Sequence, residues 1–288
     1  MLTVVLDTVC RQAGLDPNGA RLIKFTNNAV LELARQPIVV RIAGSQTVRD
    51  RAPKVINVAK WLARNGMPAV RLLDGIHQPV QAHGHLATLW QRVSPTGRAP
   101  NGADLGRILH RYHRLLPPDV PLPPWRPLAP IRQRIAETDV LSESDLAFLE
   151  TKCGELEEAV ADLAYDLPQG PIHGDSFLGN LIPGRTGPVI CDFDSAAEGP
   201  REWDLTPIAV GNLRFAYPGR IQQELADTYG FDITRWPGFP AFRQLRELQL
   251  VTSVLPVLRD NPSLYEQWRH RLKTFQSGDI EAVWTPYR

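Results

Sequence analysis

Short runs of alternating apolar and polar residues characterise the first third of the chain. Residues 21–26, 29–33 and 38–42 have the two-residue period of strands, and Asn-Asn and Gln-Pro pairs separate them as turns. Residues 51–64 instead repeat apolar side chains at the spacing of a one-faced helix, and two further strand patterns follow at residues 69–73 and 86–93. This order predicts a small antiparallel sheet crossed by one helix.

Beyond residue 93 the pattern changes. A segment rich in Pro, Gly and Ser occupies residues 94–102, and helical periodicity then dominates. The predicted helices cover residues 104–116, 143–164, 220–229, 242–258 and 264–275. We therefore predict an α+β protein with two lobes, a sheet-containing N-terminal lobe over residues 1–93 and a mainly helical C-terminal lobe over residues 94–288.

Composition narrows the possible partners of this 288-residue chain. The formal net charge of +1 provides no field for a nucleic-acid backbone, and the apolar runs are too short to span a bilayer, so neither partner is expected. The first ten residues lack the basic cluster and cleavage site of a signal peptide, which favours a cytoplasmic location. The sequence carries no signal of an oligomeric state.

A β-hairpin is predicted inside the helical half, with its turn near residues 184–187. Counting outward from the facing pair Pro183 and Pro188 places Asn180 opposite Cys191, beside Asp192. Carboxamide and carboxylate oxygens are ligands that Mg²⁺ takes, and substrate phosphates and water complete its shell. Asp175 precedes Asn180 by five residues, which places it to accept a hydroxyl proton.

The segment His173-Gly174-Asp175, followed by Asn180 and Asp192, resembles the catalytic core of the aminoglycoside phosphotransferase and choline kinase-like family, which is related to protein kinases. The resemblance implies a protein-kinase-like fold with ATP, or another nucleoside triphosphate, and Mg²⁺ as cofactors. It further implies that Asp175 is the catalytic base and that Asn180 and Asp192 bind the metal. His173 is expected to brace the loop.

The resemblance also implies a nucleotide site in the N-terminal lobe. Arg41 is similar to the family's third-strand cation, which contacts phosphates, and residues 88–93 resemble the linker that receives the adenine, which implies contacts from Gln91 and Val93. The phosphate-covering turn falls near residues 26–28, where Asn28 is the expected contact. The family's helix supplies a Glu partner for the cation, but residues 49–64 contain no Glu, and Asp50 is the nearest carboxylate.

Two functional hypotheses follow from these residues. The first is an ATP- and Mg²⁺-dependent kinase that transfers the γ-phosphoryl group to a hydroxyl of a small molecule, such as an aminoglycoside or other antibiotic, an amino alcohol or a sugar. An antibiotic acceptor would imply a role in resistance. The second is a catalytically silent nucleotide-binding regulatory module, which the missing helix Glu favours. The intact set of Asp175, Asn180 and Asp192 favours the first.

Overall fold

The computed structural model describes residues 1–25 and 28–287, except for the side chains of residues 47 and 48. The chain packs into two compact units. The first comprises residues 1–100, 110–123 and 173–197, and the second comprises residues 101–109, 124–172 and 198–288. The lobe boundary predicted at residues 93 and 94 stays a prediction.

A five-stranded antiparallel sheet forms the centre of the first unit. Its spatial order is β1-β2-β3-β5-β4. The strands are β1 (Arg21–Phe25), β2 (Asn28–Glu32), β3 (Ile38–Ala43), β4 (Val80–Ala82) and β5 (His85–Gln91). The three-strand meander is confirmed. The strand predicted at residues 69–73 is not formed, since Ala69 and Leu72 make only isolated bridges to Ile190 and Trp90.

Two helices accompany this sheet, α1 (Leu2–Ala13) and α2 (Gln46–Arg64). The second confirms the predicted helix and begins five residues earlier than expected (46 against 51). The first was not predicted, although Val5, Leu6 and Val9 recur at helical spacing and are buried. These residues and Cys10 share one core with alternate residues of the strands. Because the core residues of each strand face α1, the residues between them face away from α1.

A hairpin and a short strand pair complete the β-structure. The hairpin strands are β7 (Leu181–Gly184) and β8 (Gly187–Ile190), and the other pair is β6 (Gly170–Ile172) with β9 (Ala197–Gly199). The hairpin belongs to the first unit. Its presence within an otherwise helical stretch confirms the sequence prediction.

Helices account for most of the second half of the chain. They are α3 (Gly102–Tyr112), α4 (Ala129–Glu137), α5 (Glu143–Ala161), α6 (Glu202–Phe215), α7 (Ile221–Tyr229), α8 (Phe239–Thr252), α9 (Leu255–Leu258) and α10 (Tyr265–Gln276). All five predicted helical regions are present, and α4 and α6 are additional. Prolines masked both: Pro130 lies in the first turn of α4, where it is tolerated, and Pro207 lies inside α6.

The core of the second unit contains Trp203, Trp236 and Phe242, whose side chains are buried against one another. In the described part of the chain, no helix combines the length and the apolar character that a membrane crossing requires.

Candidate active site

Strand alternation creates the floor of a cavity of about 450 Å³ within the first unit. On β3, Ile38, Val40 and Ile42 are buried in the core that includes α1. Because successive side chains of a strand point to opposite faces, Val39 and Arg41 are turned to the cavity, which they line. A short apolar strand therefore presents one cation to the cavity.

The cavity is lined by both apolar and polar side chains. Its apolar walls include Val30, Val39, Val70, Trp90, Ile182 and Phe193. Five predicted site residues also line it, namely Arg41, Gln91, Val93, Asn180 and Asp192. A concave cavity of this size with apolar walls and a few convergent polar groups is the usual form of a small-molecule site.

The hairpin register places the two proposed metal ligands at one end of the strands. Pro183 pairs with Pro188, and the Cys191 main-chain N–H donates to the Asn180 carbonyl at 2.9 Å. This is the pairing predicted from the sequence. It brings Asn180 and the residue after Cys191, Asp192, to the same wall of the cavity.

His173 holds the loop and the hairpin together. Its fully buried imidazole contacts the Cys191 carbonyl through Nε2 at 3.0 Å, and Nδ1 accepts from the Asp175 main-chain N–H at 3.4 Å. Gly174 makes this close approach possible, because it has φ +82 and a Cβ there would lie 2.2 Å from the Ser195 carbonyl oxygen. The geometry of this loop thus rests on a bracing His and on a Gly without a Cβ.

Asp175 and Asn180 are joined through the main chain. The Asn180 Nδ2 donates to the Asp175 carbonyl oxygen at 2.8 Å. This bond orients the amide, so that its oxygen is the atom directed away from the loop. Asp175 itself is half-buried.

Arg41 interacts with three side chains. Its Nη2 forms a short ion pair with Asp194 and lies 3.6 Å from Asp192 Oδ1. Asn28, in the amide orientation that suits both groups, accepts from Arg41 Nε at 3.1 Å and from Nη2 at 2.6 Å. The predicted covering turn at residues 26 and 27 lies outside the described residues, so Asn28 is the part of it whose contacts are defined.

The two carboxylates compete for one cation. Burial, and then the hydrogen bond and negative charge of Asp194, raise the pKa of Asp192 to about 6. Burial also acts to raise the pKa of Asp194, but the Arg41 charge and the hydrogen bonds with Asp192 and Arg41 outweigh it, so this pKa is lowered. Asp192 and Asp194 together therefore carry more negative charge than the single Arg41 guanidinium can neutralise.

This donor set fits a magnesium ion. Asn180 and Asp192 offer hard oxygens, and uncompensated negative charge at Asp192 favours a divalent cation. Among the described residues, no three His, Cys, Asp or Glu side chains cluster as a metal site. A metal held here would have two protein ligands and would take the rest of its shell from phosphate and water, as Mg²⁺ commonly does.

The missing Glu partner of Arg41 is replaced in an unexpected way. Asp50 accepts a hydrogen bond from Gln46 Nε2 at 2.7 Å within its own helix, and no contact is seen between Asp50 and Arg41, which are both among the residues that the structure describes. The partner of Arg41 is Asp194, which follows Asp192 by two residues. Helix α2 instead contributes Lys54, whose Nζ donates to the Asp194 carbonyl at 2.6 Å and the Ala196 carbonyl at 3.0 Å.

Sequence reasoning missed Lys54, although a signal was present. Lys54 precedes Val58 by four residues, which places it on the apolar face of α2. A lysine on that face is half-buried and needs acceptors. Burial, assisted by the charge of Arg51, lowers the pKa of Lys54 to about 8.

The residues at the end of β5 border the cavity. The Gln91 and Arg92 N–H groups donate to the Arg71 and Pro37 carbonyls, both at 2.8 Å. Val93, the next residue, lines the cavity. A cluster of charge at this end was not predicted: Glu32 pairs with Arg21 at 2.6 Å and forms a short ion pair with Arg92.

The small antiparallel sheet, the helical second half and the inserted hairpin define an α+β, protein-kinase-like fold. Residues 24–248 match the model of the phosphotransferase enzyme family, and the chain belongs to that family. The family resemblance proposed from the sequence is thereby confirmed. A search of curated protein sequences found no match.

Several solved structures share the fold. Amicoumacin kinase hAmiN, in complex with AMP-PNP, Ca²⁺ and Ami, has a TM-score of 0.73 at 14% identity over 99% of this chain and 97% of its own. A choline/ethanolamine kinase family protein from Mesorhizobium loti has a TM-score of 0.66 at 14% identity over 94% and 93%. The GDP and kanamycin complex of APH(2")-IIia has a TM-score of 0.66 at 13% identity over 96% and 99%.

Proposed function

We propose that this phosphotransferase is an ATP- and Mg²⁺-dependent kinase that transfers the γ-phosphoryl group to a hydroxyl of a small molecule. The observation that carries the proposal is the convergence of Arg41, Asn180 and Asp192 on one cavity in the first unit. A cation for phosphate, two oxygen ligands for a metal and an apolar slot for a base are the parts that phosphoryl transfer requires.

Each residue has a proposed role that follows from its position. Asn180 and Asp192 hold the metal, which when bound neutralises charge on the nucleotide phosphates. Arg41 contacts phosphate oxygens, and Asn28 fixes the orientation of its guanidinium through the 2.6 and 3.1 Å contacts. Gln91 and Val93 border the base, with the Val93 main-chain N–H as the donor to adenine.

Asp175 is proposed as the base of the reaction. The acceptor hydroxyl gives its proton to the Asp175 carboxylate while its oxygen forms a bond to the γ-phosphorus. The bond between that phosphorus and the β,γ-bridging oxygen breaks, and the nucleoside diphosphate leaves with the electron pair. His173 keeps the loop in register, since it contacts both the Asp175 N–H and the Cys191 carbonyl.

The relatives suggest which acceptors to test first. The amicoumacin kinase and the kanamycin complex point to antibiotics, and the choline/ethanolamine kinase family protein points to amino alcohols. We propose a panel of aminoglycosides, other antibiotics, amino alcohols, sugars and nucleosides, each tested with ATP or GTP and Mg²⁺. Nucleoside diphosphate release and the mass of the phosphorylated product would be measured together.

The matched pair for this experiment is Asp175→Asn with Asp260→Asn, an exposed carboxylate elsewhere on the chain. Asp175→Asn is expected to lower kcat by about 10²- to 10⁴-fold with nucleotide affinity retained, because only the proton acceptor is lost. Full turnover in Asp175→Asn would contradict the assignment. Tight nucleotide binding with no turnover across the panel would favour the silent regulatory module, for which the absence of a Glu from residues 49–64 is the motivating observation.

A further inference from the structure

The segment after Asp192 is tied to helix α2 by one lysine. Lys54 Nζ donates to the main-chain carbonyls of Asp194 at 2.6 Å and Ala196 at 3.0 Å. Both acceptors lie in or directly after the short 3₁₀ turn Phe193–Ser195. An ammonium group carries three donors, so one lysine can bind two carbonyls of a turn at once.

This turn needs an external support. Asp192, which precedes it, has the left-handed conformation φ 70, ψ 71, a conformation that residues other than Gly adopt at an energetic cost. Within the turn, the Ala196 N–H donates to the Phe193 carbonyl at 3.2 Å. Asp194 is half-buried and Ala196 is buried, so their carbonyls need hydrogen-bond donors, and Lys54 supplies a donor to both.

The same turn also sets the position of Arg41, because the Asp194 side chain is the ion-pair partner of Arg41. One segment therefore carries a proposed metal ligand, the partner of the proposed phosphate cation and the two carbonyls that Lys54 binds. In kinases of known mechanism a helix Glu contacts the phosphate-binding cation directly. Here the helix contributes a cation, and the carboxylate comes from the metal-binding segment.

We propose that Lys54 is a positioning residue that holds Asp192 and Asp194 in the geometry needed to bind the metal–nucleotide complex. This inference rests on the proposed function. Lys54 is not one of the described residues that line the cavity, and its ammonium donates to main-chain carbonyls, so it acts through the main chain of residues 194 and 196. Helix α2 thus still contacts the proposed nucleotide site, but it does so through the Lys54 cation instead of through a Glu carboxylate.

Two variants and a control test the proposal. Lys54→Met keeps the aliphatic stem and removes the ammonium, and Lys54→Arg restores a charged donor. Lys60→Met, on an exposed position of the same helix, is the control. AMP-PNP binding would be measured by calorimetry with Mg²⁺ and with EDTA, and amide exchange of residues 192–196 would be followed in the nucleotide-free protein.

We expect Lys54→Met to weaken binding of Mg²⁺–AMP-PNP about tenfold, as loss of an outer-shell support typically does, with little change in EDTA. Its Ala196 amide should exchange faster, and Lys54→Arg should recover part of both losses. If Lys54→Met does not fold, Lys54→Gln, which keeps a neutral donor, replaces it.

Unchanged Mg²⁺-dependent affinity in Lys54→Met, or an equal loss with Mg²⁺ and with EDTA, would overturn the positioning role. If the unmodified protein binds no nucleotide, the proposed function fails instead. The exchange measurement then decides the inference by itself, since unaltered exchange at Ala196 would show that Lys54 does not hold the turn.

Discussion

Clusters of paired charges occur in both units, fully buried in the second unit and half-buried in the first. In the second unit, Arg214 donates to Glu247 at 2.7 Å and to the Asp279 and Ala282 carbonyls at 2.7 and 3.0 Å. Its guanidinium also lies 4.6 Å from the Trp284 ring centroid. In the first unit, Asp192 and Asp194 share Arg41 beside an open cavity.

The difference between the two clusters indicates a structural role for the Arg214 cluster and a binding role for the Arg41 cluster. The Arg214 cluster is closed, because the carboxylate and main-chain acceptors around the guanidinium satisfy it and the C-terminal segment covers it. The Arg41 cluster leaves one carboxylate with a raised pKa and faces a space that a ligand can enter. Perturbed groups that line a cavity indicate a binding site, whereas fully buried groups with complete pairing indicate a structural role.

The largest expected effect concerns the closed cluster. Arg214→Met should lower the free energy of unfolding by about 3–5 kcal/mol, because the variant removes one partner of a buried ion pair and the anchor of residues 279–284. Denaturant unfolding would measure this loss. Nucleotide affinity of the folded variant should stay unchanged.

Arg243→Met is the matched control for that variant, because Arg243 contacts the same Glu247 at 2.8 Å from a less buried position. Its expected cost is about 1 kcal/mol or less. Equal losses for Arg214→Met and Arg243→Met would remove the distinction drawn for the closed cluster.

A smaller effect is expected at the open cluster, and on binding instead of stability. Asp192→Ala should weaken Mg²⁺–nucleotide binding about 10- to 100-fold, since it removes a metal ligand. The stability should fall little, because the substitution also relieves the repulsion between Asp192 and Asp194. Calorimetry with Mg²⁺ and thermal unfolding, with Asp260→Ala as control, would test both parts; an unaltered Mg²⁺ dependence would refute the metal role.

The smallest effect concerns a group in the core of the first unit, away from the cavity. Burial, with the charges of Asp7 and Asp16, raises the pKa of Cys10 from 9.0 to about 11. Between these values the folded state holds a proton that the unfolded state has lost, so this contribution to stability declines as pH rises. The destabilisation caused by Cys10→Ala should therefore shrink by roughly 1 kcal/mol between pH 8 and pH 10.

Paired denaturant titrations of the unmodified protein and Cys10→Ala at the two pH values would measure this change. Groups other than Cys10 titrate in both proteins and cancel in the difference. A difference that grows with pH would contradict the sign.

Local pattern was sufficient for much of the fold. The strand period at residues 29–33 and 38–42, and the helical period of α2 and of five later regions, predicted elements that the structure contains. Helices α4 and α6 were not predicted, because Pro130 and Pro207 are by residue type helix-breaking. In α6, burial in the tertiary structure outweighs this local signal. Residues 69–73 have strand-like composition but obtain only single bridges, since pairing depends on the neighbours available.

The candidate site also contains residues that could be predicted from local sequence and residues that could not. Asn180 and Asp192 were placed together from the hairpin register alone, because antiparallel pairing is a counting rule once a turn is located. Asp194 and Lys54 were not found, because their partners lie more than a hundred residues away in sequence, at Arg41 and at the carbonyls of residues 194 and 196. Periodicity in the sequence identifies which face of an element is buried, but it does not identify the distant residues that pack against that face.

Local sequence patterns were enough to predict the α+β class, the hairpin with its facing residues, and the chemical types in the segment from His173 to Asp192. These depend on interactions between residues close in the chain, which a period or a spacing records. The ion pair of Asp194 with Arg41, and the hydrogen bonds from Lys54 to the turn after Asp192, became visible only in the folded chain. Those contacts depend on which distant groups lose water together, and burial creates that competition only when the chain has folded.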